Sequence, residues 1–243
     1  MLKLYFIRHG QSTNNVIYDD VGRENYLVHR SLDPDLTSVG QQQAELVADL
    51  VARPVSKDGY DPHNRIGYGV THIYCSLMMR AVKTGMVISQ KTGVPLVAWP
   101  EIHETGGLFD VEMQGDEFEF TGKPGPGRSF FESTFPELIL PDDLGEEGWW
   151  HLGKEPRDEY RDRALGIINR LKEVHGGTHD RVAIITHGGI FARILSALFE
   201  IQAEKYWFLM NNCAISRVDI DEDGRFSLLY LNKVDFLPDD LIT

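Results

Sequence analysis

The sequence predicts an α/β protein, a three-layer α/β/α sandwich with a mostly parallel central sheet. Three observations point to it. Short apolar runs alternate along the chain with longer segments of helical period. One of these runs, Val182–Thr186, is apolar throughout, as a strand covered on both faces must be. Two of the runs end in a reactive side chain followed by glycine, in Phe6-Ile7-Arg8-His9-Gly10 and in Thr186-His187-Gly188-Gly189. That is how a buried strand delivers chemistry to the rim of a sheet.

Taken in order, Leu2–His9 reads as the first strand, and residues 10–36 as a polar loop carrying Arg23 and Arg30. Thr37 or Ser38 is the N-cap of a helix whose Ala44, Val47, Ala48 and Val51 form one apolar face. The Pro- and Gly-rich stretch 53–69 reads as an irregular excursion. Val70–Cys75 is a second strand, and Ser76 is placed to cap a helix running to about Lys91. Val94–Ala98 is a short third strand. Residues 106–155, rich in glycine and proline, form a lid-like insertion within a single domain spanning 1–243. Phe130, Phe131, Phe135, Trp149 and Trp150 require that the insertion pack against something rather than act as a linker. A helix starts near Pro156 with Tyr160, Ala164, Ile167, Ile168, Leu171 and Val174 on its buried face, and Gly176-Gly177 ends it. The strand Val182–Thr186 then feeds an apolar helix, Ile190–Glu200. Strands over about Ala214–Asp221 and Phe226–Asn232 flank a hairpin turn at Asp223-Gly224. The tail Val234–Thr243 is either frayed or turned toward the active-site rim.

Composition narrows the function. A net charge of −13 over 243 residues argues against nucleic acid or an anionic membrane as partner, though not against a small anion held in a basic pocket. Cys75 and Cys213 are too few for a disulfide framework and have no metal-like spacing. The N-terminus runs straight into strand material, and no uninterrupted apolar stretch approaches ~18 residues. The expectation is a soluble, cytoplasmic protein of a reducing compartment.

The reactive residues fall at strand ends. His9 ends the first strand, Ser76 and Arg80 follow the second, and His187 ends Val182–Thr186. In an open parallel sheet these ends share one edge, where ligands bind, and helix N-termini there favour anions. Three segments are therefore expected to converge on one anion site.

The pattern Arg8-His9-Gly10-x-Ser12-x-x-Asn15 resembles the signature of the histidine phosphatase superfamily, also called phosphoglycerate mutase-like. Leu36-Thr37-x-x-Gly40-x-x-Gln43-Ala44, Cys75-Ser76-x-x-x-Arg80-Ala81-x-x-Thr84, Ile102-His103-Glu104-x-x-Gly107 and Ile185-Thr186-His187-Gly188-Gly189 are similar to its later motifs, in the family's order. The family's usual Glu-Gly after the third of these is missing. The resemblance implies His9 as nucleophile, Glu104 as proton donor, and Arg8, Arg80 and His187 as catalytic residues that also bind phosphate. Asn15 and Gly188 complete the phosphate site. Two arginines can fork onto phosphate oxygens and hold His9 neutral, so that its free nitrogen attacks. Glu104 must carry a proton when substrate is bound, and afterwards takes one from water. No metal or cofactor is required.

Within the family the expected function is a metal-independent phosphomonoesterase acting on a small phosphorylated substrate. The mutases' Tyr-Gly and Gly-Leu-Asn-Lys elements and their paired Arg-Arg are absent, and Asn211-Asn212-Cys213-Ala214-Ile215 stands where they carry a Pro-Thr-Gly-like turn. The alternatives are a cofactor-dependent phosphoglycerate mutase and a catalytically inactive phosphate-binding or partner-docking member of the fold. Lys123 and Arg128 of the insertion are candidates for a second anionic group on the substrate. Histidines 175 and 179 lie four apart, but the intervening Gly176-Gly177 makes a helical metal pair implausible.

Overall fold

A six-stranded sheet carries the molecule, and its strand order explains where the site falls. In the computed structural model the elements are β1 (Leu2–Arg8), α1 (Thr13–His29), α2 (Ser38–Val51), β2 (His72–Cys75), α3 (Met79–Thr92) and β3 (Leu96–Ala98). They continue with β4 (Phe109–Gln114), β5 (Glu117–Gly122), α4 (Arg128–Thr134), α5 (Glu159–His175), β6 (Arg181–Thr186), α6 (Gly188–Leu198), β7 (Ile215–Ile220) and β8 (Phe226–Lys233). The structure describes residues 1–55, 61–115, 117–202 and 205–243, and among these all side chains but those of Arg23 and Glu24. The irregular reading of 53–69 thus lies partly outside the described residues.

The sheet order is β3-β2-β6-β1-β7-β8. β3, β2, β6 and β1 run parallel, so their carboxyl ends share one edge, while β7 pairs antiparallel to β1 and β8 to β7. Successive side chains of a strand point to opposite faces. Accordingly Leu2, Leu4 and Phe6 join one apolar cluster with Ala164, Ile167, Leu171, Ile190 and Ile194 of α5 and α6. Tyr5 and Ile7 join the other, with Val47, Val51, Ala81 and Ile88 of α2 and α3. Each fully buried Leu, Ile or Phe contributes about 1.5–3 kcal/mol. The three-layer sandwich follows from this two-faced burial.

Several local expectations need correction. Residues 10–36 are not a loop throughout: α1 occupies Thr13–His29, broken at Gly22 (φ 72°). It starts where the Asn15 side chain accepts from the Ser12 amide at 2.9 Å. Its few apolar residues gave no periodic stripe. Ser76 does not cap α3, whose N-cap is Met78. Val174 is 45% exposed, and His175 beside it takes the buried position at the end of α5.

The insertion is more than a lid. Phe131, Leu138, Leu144, Trp149 and Trp150 are buried in the α2/α3-side cluster, whereas Phe130 is exposed. Ile139 bridges to Val97 and covers the otherwise open edge of β3. Arg128 holds the insertion together, donating to the carbonyls of Leu144 (2.8 Å) and Pro141 (2.5 Å). The tail is docked rather than frayed. Thr243 O accepts from the Asn212 amide at 2.8 Å, and Gln43 Nε2 donates to Leu241 O at 2.7 Å.

Candidate active site

Three strand ends meet as expected. β1 and β6 pair in register, Arg8 opposite Thr186, so His9 and His187 leave the sheet side by side. Their ring centroids lie 5.1 Å apart. Cys75 of β2 pairs with Ile185, which brings Ser76 and α3 to the same edge.

His9 is 3% exposed. Its Nδ1 lies 2.7 Å from the Gly10 carbonyl, which can only accept, so the proton is on Nδ1 and the lone pair on Nε2. Arg80 Nε donates to that lone pair at 3.1 Å. Burial first, then Arg80 and Arg8, holds the His9 imidazole well below its ordinary pKa, so it is neutral. Gly10 is required here: a Cβ would come within 2.4 Å of the Gly40 carbonyl, where the loop crosses α2.

His187 is wholly buried, with Nε2 2.7 Å from Ser76 Oγ. Its Nδ1 is buried without a partner, as is Arg8 Nε. With the Ser76 hydroxyl donating to Nε2, the Nδ1–H of His187 becomes an unsatisfied donor, as the Arg8 Nε–H already is. Orphaned buried donors of this kind are what an anion would satisfy. Burial, then Arg80, keeps His187 well below its ordinary pKa and neutral in this state; a bound dianion would favour the cation.

The arginines are held from behind. Arg8 Nη1 donates to Met210 O at 2.6 Å, and Gly188 lies alongside, where a Cβ would make ordinary contact with Arg8 Nε at 3.8 Å. Arg80 Nη1 lies 3.6 Å from Asp33 Oδ1, and the Asp33 carboxylate also accepts from the Met79 amide at the start of α3. Burial pushes both guanidinium groups down from their ordinary pKa; Glu104 opposes this at Arg8, and Asp33, then Glu104, at Arg80.

Glu104 occupies the anion position of α6. Its carboxylate accepts from the amides of Gly189 (3.1 Å), Ile190 (3.1 Å) and Thr105 (2.7 Å). The helix N-termini of α6 and α3 therefore serve the protein's own carboxylates, Glu104 and Asp33, rather than lying open to a ligand. Asn15 is placed at the site, but its Oδ1 is taken by the Ser12 amide, the Ser12 hydroxyl and Asn212 Nδ2. Only its Nδ2 is left for a ligand.

Sequence reasoning missed a supporting ring. Asn212 Nδ2 donates to His9 O at 3.0 Å, and Met210 lends its carbonyl to Arg8. His103, packed on Trp150 with ring centroids at 4.7 Å, keeps its imidazole neutral through burial and Arg163, which lower its pKa to about 3. Glu155 and Arg163 form a bidentate pair (2.6 and 2.7 Å) that anchors the Glu104 loop. Arg163 donates to the carbonyls of Glu101 and His103, and Glu155 accepts from the Gly106 amide. His103 and Asn212 stood inside stretches already singled out, and Asp33 just before Leu36-Thr37, but their supporting roles had no signal; Glu155 and Arg163 had no spacing to announce them. Burial raises the pKa of both Cys75 and Cys213 thiols, which excludes them as nucleophiles.

A neutral, buried histidine with a free ring nitrogen, a second histidine and two arginines thus meet at one sheet edge. The profile of the histidine phosphatase superfamily (branch 1) matches residues 4–119 and 125–233, and the chain belongs to that family. It is 27% identical over 237 residues to a Hydrogenobacter thermophilus protein named "Putative phosphoserine phosphatase 2", covering 96% of this chain and 97% of that one. It is 24% identical over 189 residues to Phosphoglycerate mutase-like protein 4 of Arabidopsis thaliana, covering 77% and 67% of the two chains. The solved α-ribazole phosphatase of Shigella flexneri shares the fold, with a TM-score of 0.58 at 20% identity over 95% of this chain and 96% of that one.

Proposed function

We propose that the protein is a phosphomonoesterase that passes the phosphoryl group through His9. The observation that carries this reading is the locked Nδ1–H tautomer of His9, whose free Nε2 points at Arg80, with orphaned donors on Arg8 and His187. Arriving phosphate oxygens take over Arg80 and the free donors of Arg8 and His187, with Asn15 Nδ2 and the turn at Gly188 completing the cradle. This releases the lone pair of His9.

Nε2 then attacks phosphorus. The bond from phosphorus to the leaving oxygen breaks as the Glu104 carboxyl gives that oxygen its proton. In the second half Glu104, again a carboxylate backed by three amides, takes a proton from water. The hydroxide attacks phosphorus, the P–N bond breaks, and His9 returns to its neutral state. The route needs no metal.

The leaving group is assigned to the space between α1 and the β4–β5 hairpin. There Arg30 donates to Phe109 O at 2.7 Å and stacks 4.3 Å above the Phe109 ring, while Lys154 lies 3.5 Å over Phe120. Arg30 is close enough to act on the ionisation of Arg80. Two cations there suit a small substrate bearing a second anionic group. They take the place of Lys123, paired with Asp110 at 3.2 Å, and of Arg128, which is spent inside the insertion.

The test is hydrolysis of an aryl phosphate across pH 5–8 in EDTA, wild type beside His9→Ala. Turnover that EDTA spares and His9→Ala lowers by on the order of a thousandfold or more supports the reading. Turnover that survives His9→Ala overturns it. Bisphosphate-dependent isomerisation of phosphoglycerate faster than hydrolysis replaces it with the mutase, and phosphate-induced stabilisation without turnover replaces it with an inactive binder.

A further inference from the structure

At the opposite ends of the strands that present Ser76 and His187, three potential metal ligands come together. His72 opens β2, Asp180 immediately precedes β6, and His175 ends α5. One ring nitrogen of each histidine and an Asp180 oxygen all lie within 4.8 Å of one another. The His72 and His175 rings are edge to face with centroids 4.6 Å apart. The cluster lies four residues along β2 from Ser76, about 13 Å at strand rise, so it is separate from the phosphate site.

From this cluster we propose a binding site for one divalent ion of the zinc class, held by His72, His175 and Asp180. Two imidazoles and one carboxylate are the donor set such ions take in four-coordinate sites, with a water completing the shell. The supporting contacts suit it. His175, 2% exposed, has Nδ1 2.8 Å from Asp180 Oδ2, and an ion can replace the proton that bridges them. Its other nitrogen, Nε2, lies 3.1 Å from Tyr74 OH, an acceptor that fixes the ring for coordination through Nδ1.

His72 is the movable ligand, with its side chain 43% exposed and Nδ1 3.9 Å from Asp180 Oδ2. That nitrogen now meets the Thr71 hydroxyl at 2.9 Å. Thr71 has a second acceptor, the Arg181 carbonyl at 3.3 Å, so giving up His72 orphans no donor. A bound ion would tie the start of β2 to α5 and to the start of β6. It would stiffen the strand pair that carries the catalytic edge without entering the reaction.

The test uses tag-free, EDTA-stripped full-length protein and measures Tm against Zn2+, with Mg2+ as the hard-cation control. Absorption of the Co2+ form reports imidazole coordination directly. We expect one ion per chain, a Co2+ d–d band, no response to Mg2+, and a Tm rise of about 5–10 °C at Zn2+ a hundredfold above Kd. His72→Ala and Asp180→Asn should each remove the rise and the band, and His179→Ala should keep both. No Co2+ band in the wild type overturns the proposal, as does an unchanged response in either ligand variant or its loss in His179→Ala.

Discussion

Glu155→Ala tests whether the Glu104 loop is held by a buried ion pair. Glu155 is 4% exposed and grips Arg163 through two short bonds, while its Oε2 also takes the Gly106 amide at 3.1 Å. Removing one partner of a buried pair costs about 3–5 kcal/mol, mostly because the other charge is left stranded. Arg163 keeps the carbonyls of Glu101 and His103 as acceptors, which places the loss near the low end, about 3 kcal/mol. For a chain of this size that is a fall in Tm of about 6–12 °C. Because Gly106 follows Glu104 by two residues, kcat/KM should fall too, by roughly 10–100-fold through misplaced proton transfer. Calorimetry and steady-state kinetics on the same sample read both effects. The apolar pair Glu155→Leu with Arg163→Met should recover much of the stability, since no charge is stranded, but not the activity. A single variant within about 2 °C of wild type and with unchanged kinetics would refute this account of the loop.

Three further outcomes follow from the geometry. His9, His103 and His187 are buried with pKa values held below the ordinary 6.5, so the unfolded chain binds protons that the folded one refuses. Their stabilisation is complete above pH 6.5 and is lost as pH falls, for His103 over the window from 6.5 to about 3. Urea titrations between pH 6 and 4 should show His103→Gln less steeply destabilised than wild type, by about 1.4 kcal/mol per pH unit; equal slopes would contradict it. Gly10→Ala places a Cβ 2.4 Å from Gly40 O and should abolish turnover, whereas Gly166→Ala, with nothing within 4 Å, should leave it intact. Arg30→Ala should raise KM about tenfold or more for a phosphomonoester with a second anionic group, and leave KM for an aryl phosphate unchanged.

Much of the site was legible in the sequence because its members sit at the ends of strands. Once Leu2–His9 and Val182–Thr186 are read as neighbours in a parallel sheet, His9 and His187 must emerge on one edge. What a strand end does not tell is which groups stand behind it. Ser76 reads from sequence as a helix cap and in the fold partners His187, because α3 begins only at Met79, with Leu77 and Met78 between. Arg128 reads as a free cation and is consumed by two carbonyls. The helix α1 escaped notice because it is stabilised by Asn14 and Asn15 contacts and by packing on β4, not by an apolar stripe of its own.

By itself, the sequence determined the sandwich and the reactive set. Uninterrupted apolar runs cannot be solvated, so they must be buried strands, and the residues closing them must lie at the sheet's rim. Only the tertiary structure decided how that set is tuned. The tautomer of His9, the neutrality of His187 and the seating of Glu104 on the α6 amides depend on distances between segments far apart in the chain. So does the meeting of His72, His175 and Asp180: no spacing in the sequence links the three, and the parallel pairing of β2 with β6 brings them together.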